Sequence, residues 1–254
     1  MKTINVETGK NKDSVIGIMK RQVAKYALKF VLFIAFSLIL ALVIRLFFCN
    51  FYVVPSNSME PTILAGDFIV AEKLTYGARI FTGLKFDRNN DPKMIRAPKF
   101  RNIRKNDVTV FNYPYRYTQD TIRMNLEKIF VKRCAGLPGD SIDFAPFYIP
   151  KKGEIIALTP DNFKLYRKQI VYETGAHIRM EDSLIFINDT LATYYTFQGN
   201  WYFMTGDNIT NSHDSRYIGL IPEEFVIGRA TLVLTSKDIV SGKRKWNRFM
   251  KRIK

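Results

Sequence analysis

Residues 30–44, FVLFIAFSLILALVI, hold one polar side chain, Ser37, in fifteen positions. Extended to Tyr26 and Cys49 the apolar stretch is 24 residues long, with Lys29 and Arg45 near its ends, where long cationic side chains reach headgroups. About 20 mainly apolar residues cross a bilayer, so the segment predicts a single spanning helix. A cleaved signal peptide fits less well, because the run begins late and Phe47-Phe48 and Phe51-Tyr52 follow it in place of a small-x-small site. No second run matches it. The chain therefore divides into a tail (1–25), an anchor (26–49) and a long remainder. Seven Lys and Arg against Glu7 and Asp13 before Phe30 predict a cytoplasmic tail and an exported remainder.

Charge follows the same division. Of the net +16, residues 50–242 carry only +3, because the basic residues crowd into 1–29, Arg45 and the C-terminal KRKWNRFMKRIK of 243–254. A nucleic-acid reader places its basic stripe on the folded body, so no nucleic-acid partner is expected. The basic C-terminal tail, with Trp246 and Phe249 among its cations, suits either a frayed solvated end or one that lies on anionic headgroups. An exported domain with two cysteines, Cys49 and Cys134, has no disulfide framework and must be held by its core. A Cys49–Cys134 bridge stays open, although free cysteine is commonly a small buried hydrophobe. His177 and His213 form no metal-ligand spacing with them, and no metal or organic cofactor is expected.

Beyond the anchor, short alternating runs bounded by Gly and Pro predict strands: FIVAEKL (68–74), DVTVFNY (107–113), LEKIFVKRCAG (126–136), SLIFIN and TYYTF within 144–200, and FVIGRATLVL (225–234). WYFMTGDN (201–208) leads into a polar loop. Residues 78–106, basic and without period, read as a long loop or flap. The expectation is a mainly β protein: one N-terminal transmembrane helix, a β-sheet domain from 50–143 and 201–242, and a smaller β-rich extension over 144–200.

VVPSNSMEPTILAGDF (53–68) holds two serines two positions apart, directly after the anchor. They are a loop's ordinary polarity, or a nucleophile and its helper. His213 beside Asp214 offers a Ser-His-Asp arrangement, but the acid must orient the ring from its far side, which an immediate neighbour seldom does. Lys132 is the other candidate base. On a strand over 126–136 it shares a face with Lys128, Phe130 and Cys134, and apolar neighbours lower a lysine toward the neutral amine that can take a serine proton. Periodicity alone leaves an ordinary solvated Lys132-Arg133 pair equally open.

SNSMEPTILAGD, RKNDVTVF, FVKRCAGLPGD and GDNITNSHDSRYIGLIPEEFVIGRA occur in that order behind one anchor. Together they resemble the sequence boxes of the type I signal peptidases, the membrane-bound Ser-Lys leader peptidases of bacteria. The resemblance implies a β catalytic domain that cuts signal peptides from exported preproteins at the outer face of the cytoplasmic membrane. It implies Ser58 as nucleophile, Lys132 as general base, and Ser56 as side-chain donor of an oxyanion hole beside the Ser58 amide. Ser212 would fix the lysine amine, and Asp214 and Arg216 would form a supporting ion pair. Tyr52, Val54, Pro55, Met59, Ile63, Phe130 and Val131 would line pockets for small substrate residues. Ile209 stands where the family usually has arginine, and Asn106 where it usually has glycine. Asn tolerates a left-handed turn. Ile209 removes a charge from the support, which keeps a second reading alive, an anchored peptide-binding paralogue that does not cut.

Overall fold

The computed structural model describes residues 8–83, 91–142 and 145–254, so part of the basic tail (1–7), part of the expected flap (84–90) and residues 143–144 lie outside the described residues. It contains two compact units, residues 1–45 and 46–254. The first is built on helix α1 (Thr8–Val43), which a π-helical turn, Ile44–Phe48, follows. Met19–Phe48 is long and apolar enough to cross a membrane. Helical backbone starts well before Tyr26, inside the segment read from sequence as a tail.

The second unit is mainly β. Its central sheet uses β1 (Cys49–Val53), β2 (Asp67–Glu72), β3 (Val108–Tyr113), β4 (Asn125–Gly136), β5 (Trp201–Thr205), β6 (Ile221–Pro222), β7 (Val226–Ser236) and β8 (Lys251–Arg252). The order is β1-β2-β7-β3-β4-β5-β6, with β8 added to β7. All pairings in it are antiparallel. β3 is central and buried at every position, which fits its Val-Thr-Val-Phe sequence. Side chains alternate across the sheet: Val108 and Val110 join Val54, Met59, Ile63, Ile69 and Val233 in one core, while Phe111 and Tyr113 join Cys134, Trp201, Phe203 and Phe225 in the other.

Two strands of the sheet are covered by a long neighbour over only part of their length. β5 covers β4 only at 133–136, through Thr205↔Arg133, Met204↔Cys134 and Phe203↔Gly136. The stretch of β4 before Arg133 therefore has β3 on one side and, among the described residues, no strand on the other. Similarly, β3 pairs β7 only through Val226–Arg229, and β8 takes the same edge further on, at Leu232↔Arg252 and Val233↔Lys251. The basic C-terminal segment is thus built into the sheet rather than frayed, with Arg248 and Ile253 buried.

Within 144–200, expected to be β-rich, short strand pairs surround a helix, α2 (Pro160–Thr174). Its signals are ordinary ones: Thr159 caps the Asn162 amide, Pro160 starts the first turn, and Gly175 in the left-handed conformation ends it. Phe163, Tyr166 and Ile170 face the core at helical spacing. In the described part of the flap, Arg79–Phe81 pairs with Met94–Arg96. Arg96 donates to the carbonyls of Glu223 and Val226, which ties this ribbon to the sheet. Neither cysteine is in a disulfide; Cys134 is buried and Cys49 partly so.

Candidate active site

The loop from Val54 to Gly66 joins β1 to β2 and carries both serines. Its base is closed by Val54 N–H donating to Asp67 O (2.9 Å) and Gly66 N–H donating to Val54 O (2.8 Å). A side chain at Gly66 would stand 1.8 Å from the Lys237 carbonyl, at φ +90, so only glycine fits this closure. Met59 and Ile63, both buried, pin the loop into the core, and Asn57 Oδ1 accepts the Ala65 amide at 3.1 Å. Ser58 is left half-buried and Ser56 exposed, with their hydroxyl oxygens 3.3 Å apart.

β4 brings Lys132 to this loop. Its side chain is 4% exposed, its Nζ hydrogen-bonds Ser58 Oγ at 2.5 Å, and the Phe130 ring centroid lies 5.3 Å from Nζ. Burial lowers the ammonium from the 10.5 of a free lysine to about 8, against the opposing charges of Asp214 and Asp207. The two alternatives that periodicity left open are thereby separated: the 132 side chain points inward to the serine, whereas Arg133 points the other way and pairs Asp207 with two hydrogen bonds of 2.7 Å.

The third element is the segment from Gly206 to Arg216. Asn208 N–H donates to the Ser58 carbonyl at 3.1 Å, and Asn208 Nδ2 to the Asn57 carbonyl at 3.2 Å. Gly206 permits the approach, since a Cβ there would sit 2.2 Å from Ser212 Oγ and 2.4 Å from Ser58 O. Asp214, fully buried, accepts from Arg216 Nε and Nη2 and from the Gly206 amide, each at 2.8 Å. Burial pushes this carboxyl up, but the Arg216 fork and the amide outweigh it and hold it below the ordinary carboxylate range. With its oxygens so engaged Asp214 does not orient His213, whose ring instead stacks on Tyr217 at 5.8 Å. Ser212 is buried beside Gly206, with its hydroxyl close enough to the Asp214 carboxylate to help hold it low, though short of full hydrogen-bonding geometry. The bond to Lys132 that the family resemblance implies is not formed.

A groove of about 470 Å³ runs past the two serines and Lys132 along the unpaired edge of β4. Of the expected pocket residues, Tyr52, Val54, Pro55, Met59, Phe130 and Val131 line it. Ile63 does not; it is fully buried in the core behind Met59. Val53, Glu127, Ile129, Asn211 and His213 line it as well and were not anticipated. Strand period finds Ile129 and Glu127, which share a strand face with Val131. Also unanticipated were the Arg133–Asp207 pair and Asp107. That carboxylate accepts from Tyr76 Oη, the Arg101 fork and the Arg104 amide. Asn106 before it has φ +72, a left-handed turn that asparagine tolerates. Ile209, where the family usually has arginine, is 69% exposed.

A serine hydroxyl against a buried amine, on the floor of a groove beside an unpaired strand edge, is the build of a serine endopeptidase, and the chain is one. Residues 27–235 match the family described as signal peptidase, peptidase S26, and the chain belongs to that family. Signal peptidase I of Aquifex aeolicus is 29% identical, with 81% of this chain and 84% of that protein covered. Signal peptidase I of Pseudomonas aeruginosa is 30% identical, with 78% and 69% covered. That of Pseudomonas fluorescens is also 30% identical, again with 78% and 69% covered.

Proposed function

We propose that this protein is a membrane-anchored signal peptidase that cuts signal peptides from exported preproteins after small residues, through a Ser58–Lys132 dyad. The observation that carries the reading is the 2.5 Å contact between a Lys132 amine that is 4% exposed and Ser58 Oγ. An extended substrate adds to the free edge of β4, where main-chain hydrogen bonds fix its register. Side chains of alternate residues then enter the groove, and its apolar walls, Val54, Met59 and Phe130 among them, accept small ones.

Ser58 Oγ attacks the scissile carbonyl while its proton passes to neutral Lys132 Nζ. The resulting oxyanion is held by the Ser58 amide and the Ser56 hydroxyl, a donor of the kind worth ~3–4 kcal/mol when removed. Lys132 gives its proton to the leaving amine, which departs as the mature N-terminus. The acyl-enzyme remains on Ser58. Water, deprotonated by Lys132, then frees the signal peptide. Asp214, Arg216 and Ser212 support the wall around the amine. The apolar stretch 26–49 anchors the domain, and the seven basic residues before Phe30 keep the N-terminus cytoplasmic, so cleavage takes place on the outer face of the cytoplasmic membrane.

The test uses the full chain in detergent and a peptide carrying Ala-x-Ala ahead of a mature start, with the cut located by mass. One cut directly after the second Ala is expected. Replacing that Ala by a bulky residue stops cleavage, because a carbonyl displaced by about 1 Å loses on the order of 10²-fold. Ser58→Ala binds the peptide and leaves it whole. Binding without cutting by the wild type would establish the non-catalytic reading instead.

A further inference from the structure

The basic end of the chain is built into the back of the loop that carries Ser58, a placement with no local signal in the sequence. Asp67, at the foot of that loop, is fully buried, and its Oδ2 accepts the Leu64 amide at 2.9 Å. Its counter-charge comes from 181 residues away. Arg248, 4% exposed, donates from Nε to Asp67 Oδ1 at 2.8 Å and from Nη2 to Asp67 Oδ2 at 2.5 Å. The same Nη2 donates to the Thr62 carbonyl at 3.0 Å. A planar fork thus spans the turn on which Ser58 is mounted.

Thr62 is held from a second side. Arg133, the neighbour of Lys132 on β4, donates from Nη2 to Thr62 Oγ1 at 3.2 Å and from Nη1 to the Lys254 carbonyl at 3.1 Å. Ile253 joins Met59 and Ile63 in one core cluster, and β8 locks the segment to β7. The loop bearing the serine and the strand bearing the lysine are therefore both fastened to residues 246–254.

We propose that this C-terminal segment is a brace for the catalytic loop and that Arg248 is a positioning residue for Ser58. The inference rests on the Ser58–Lys132 dyad reading. Arg248 touches neither Ser58 nor Lys132. It acts by fixing where the Thr62–Asp67 turn stands relative to β4, and so by keeping the serine oxygen against the amine. A displacement of about 1 Å between reacting groups costs on the order of 10²-fold in rate, while the groove that binds substrate is walled by residues the fork does not touch. The signature is a fall in kcat with KM kept.

The experiment measures kcat and KM on the Ala-x-Ala peptide, together with cooperative melting, for the full chain in detergent. Arg248→Met is expected to lose roughly 30- to 100-fold in kcat with KM within about twofold, at a temperature where melting shows it folded. Arg248→Lys keeps the charge for Asp67 but cannot span both its oxygens and the Thr62 carbonyl, and recovers only part of kcat. Lys243→Ala, an exposed cation just before the brace, leaves both constants unchanged. If Arg248→Met does not fold, Arg248→Lys decides: a loss of about tenfold in kcat at unchanged KM supports the brace, and wild-type kcat overturns it. A loss in Arg248→Met that only tracks the unfolded fraction, or that falls on KM, also overturns it. Ser58→Ala run alongside separates the brace from the dyad. Surviving cleavage in that variant would refute the dyad itself, whereas an inert Ser58→Ala with a fully active Arg248→Lys refutes only the brace.

Discussion

Lys132→Met should abolish cleavage and, at neutral pH, make the protein more stable. Burial lowers the Lys132 ammonium from 10.5 to about 8. Each decade of proton affinity is worth ~1.4 kcal/mol, so burying the charged lysine costs roughly 3 kcal/mol wherever it is protonated in both states. Linkage sets the sign. Between about 8 and 10.5 the unfolded chain binds the proton more tightly than the folded one, so stability rises with pH across that window. Below it the cost is fully present, and above it the cost is gone. Methionine has similar length, carries no charge, and removes the cost. It also removes the hydrogen bond to Ser58, worth about 1 kcal/mol. The net gain at pH 7 is about 2 kcal/mol, or roughly 4–8 °C in melting temperature for a domain of this size. Melting wild type and variant in the same detergent at pH 7 and pH 10.5 checks it. The variant should lead at pH 7, and its lead should vanish or reverse at the higher pH. A variant less stable than wild type at pH 7, or a lead independent of pH, would refute the claim that the lysine is held against its charge.

The same geometry sets three further outcomes. Cleavage by the wild type should rise along a limb with a midpoint near 8, set by loss of the Lys132 proton, and Lys132→Arg should be as inactive as Lys132→Ala because guanidinium keeps its proton; a limb near 10 would contradict the burial argument. Gly206→Ala places a methyl 2.4 Å from the Ser58 carbonyl and should lower kcat by about 10²-fold on peptide assay, with wild-type kcat counting against the role of that close approach. Ile209→Arg should change kcat less than about threefold, because the position is 69% exposed, and a large gain would show that the missing arginine matters after all.

What sequence could reveal of the fold depended on whether its signals were local. The spanning helix is legible because fourteen of fifteen consecutive apolar positions in 30–44 have few soluble explanations. The strands β2, β3, β4 and β7 are legible because alternation persists between turn residues. Helix α2 carried equally local signals, a Thr-Pro start, apolar residues at 163, 166 and 170, and a Gly stop, but its neighbours SLIFIN and TYYTF drew the whole segment into a β reading. The C-terminal strand β8 is different in kind. Two residues of strand and one buried arginine have no period to read, and their place depends on an edge of β7 that β3 leaves uncovered.

The candidate site divides along the same line. Ser56 and Ser58 stand two apart in one loop, and Lys132 stands on a strand whose period puts it on one face with Phe130, so all three stand out as candidates in the sequence. Only the family resemblance separates them from a polar loop and a solvated pair. Arg133 does not stand out, because the same period that turns Lys132 inward turns Arg133 away, and on that basis it reads as solvated. Its partners explain the difference: Asp207, Thr62 and the Lys254 carbonyl come from three distant parts of the chain. Ser212 shows the reverse case. Motif likeness assigns it a bond to the lysine, while in the structure its buried hydroxyl makes none to Lys132 and lies against the Asp214 carboxylate that it helps to hold low. A motif reports which residue types share a site. Which polar neighbour a hydroxyl meets is set by the packing around it, here by the missing side chain of Gly206 that lets Ser212 in, and no local pattern records that.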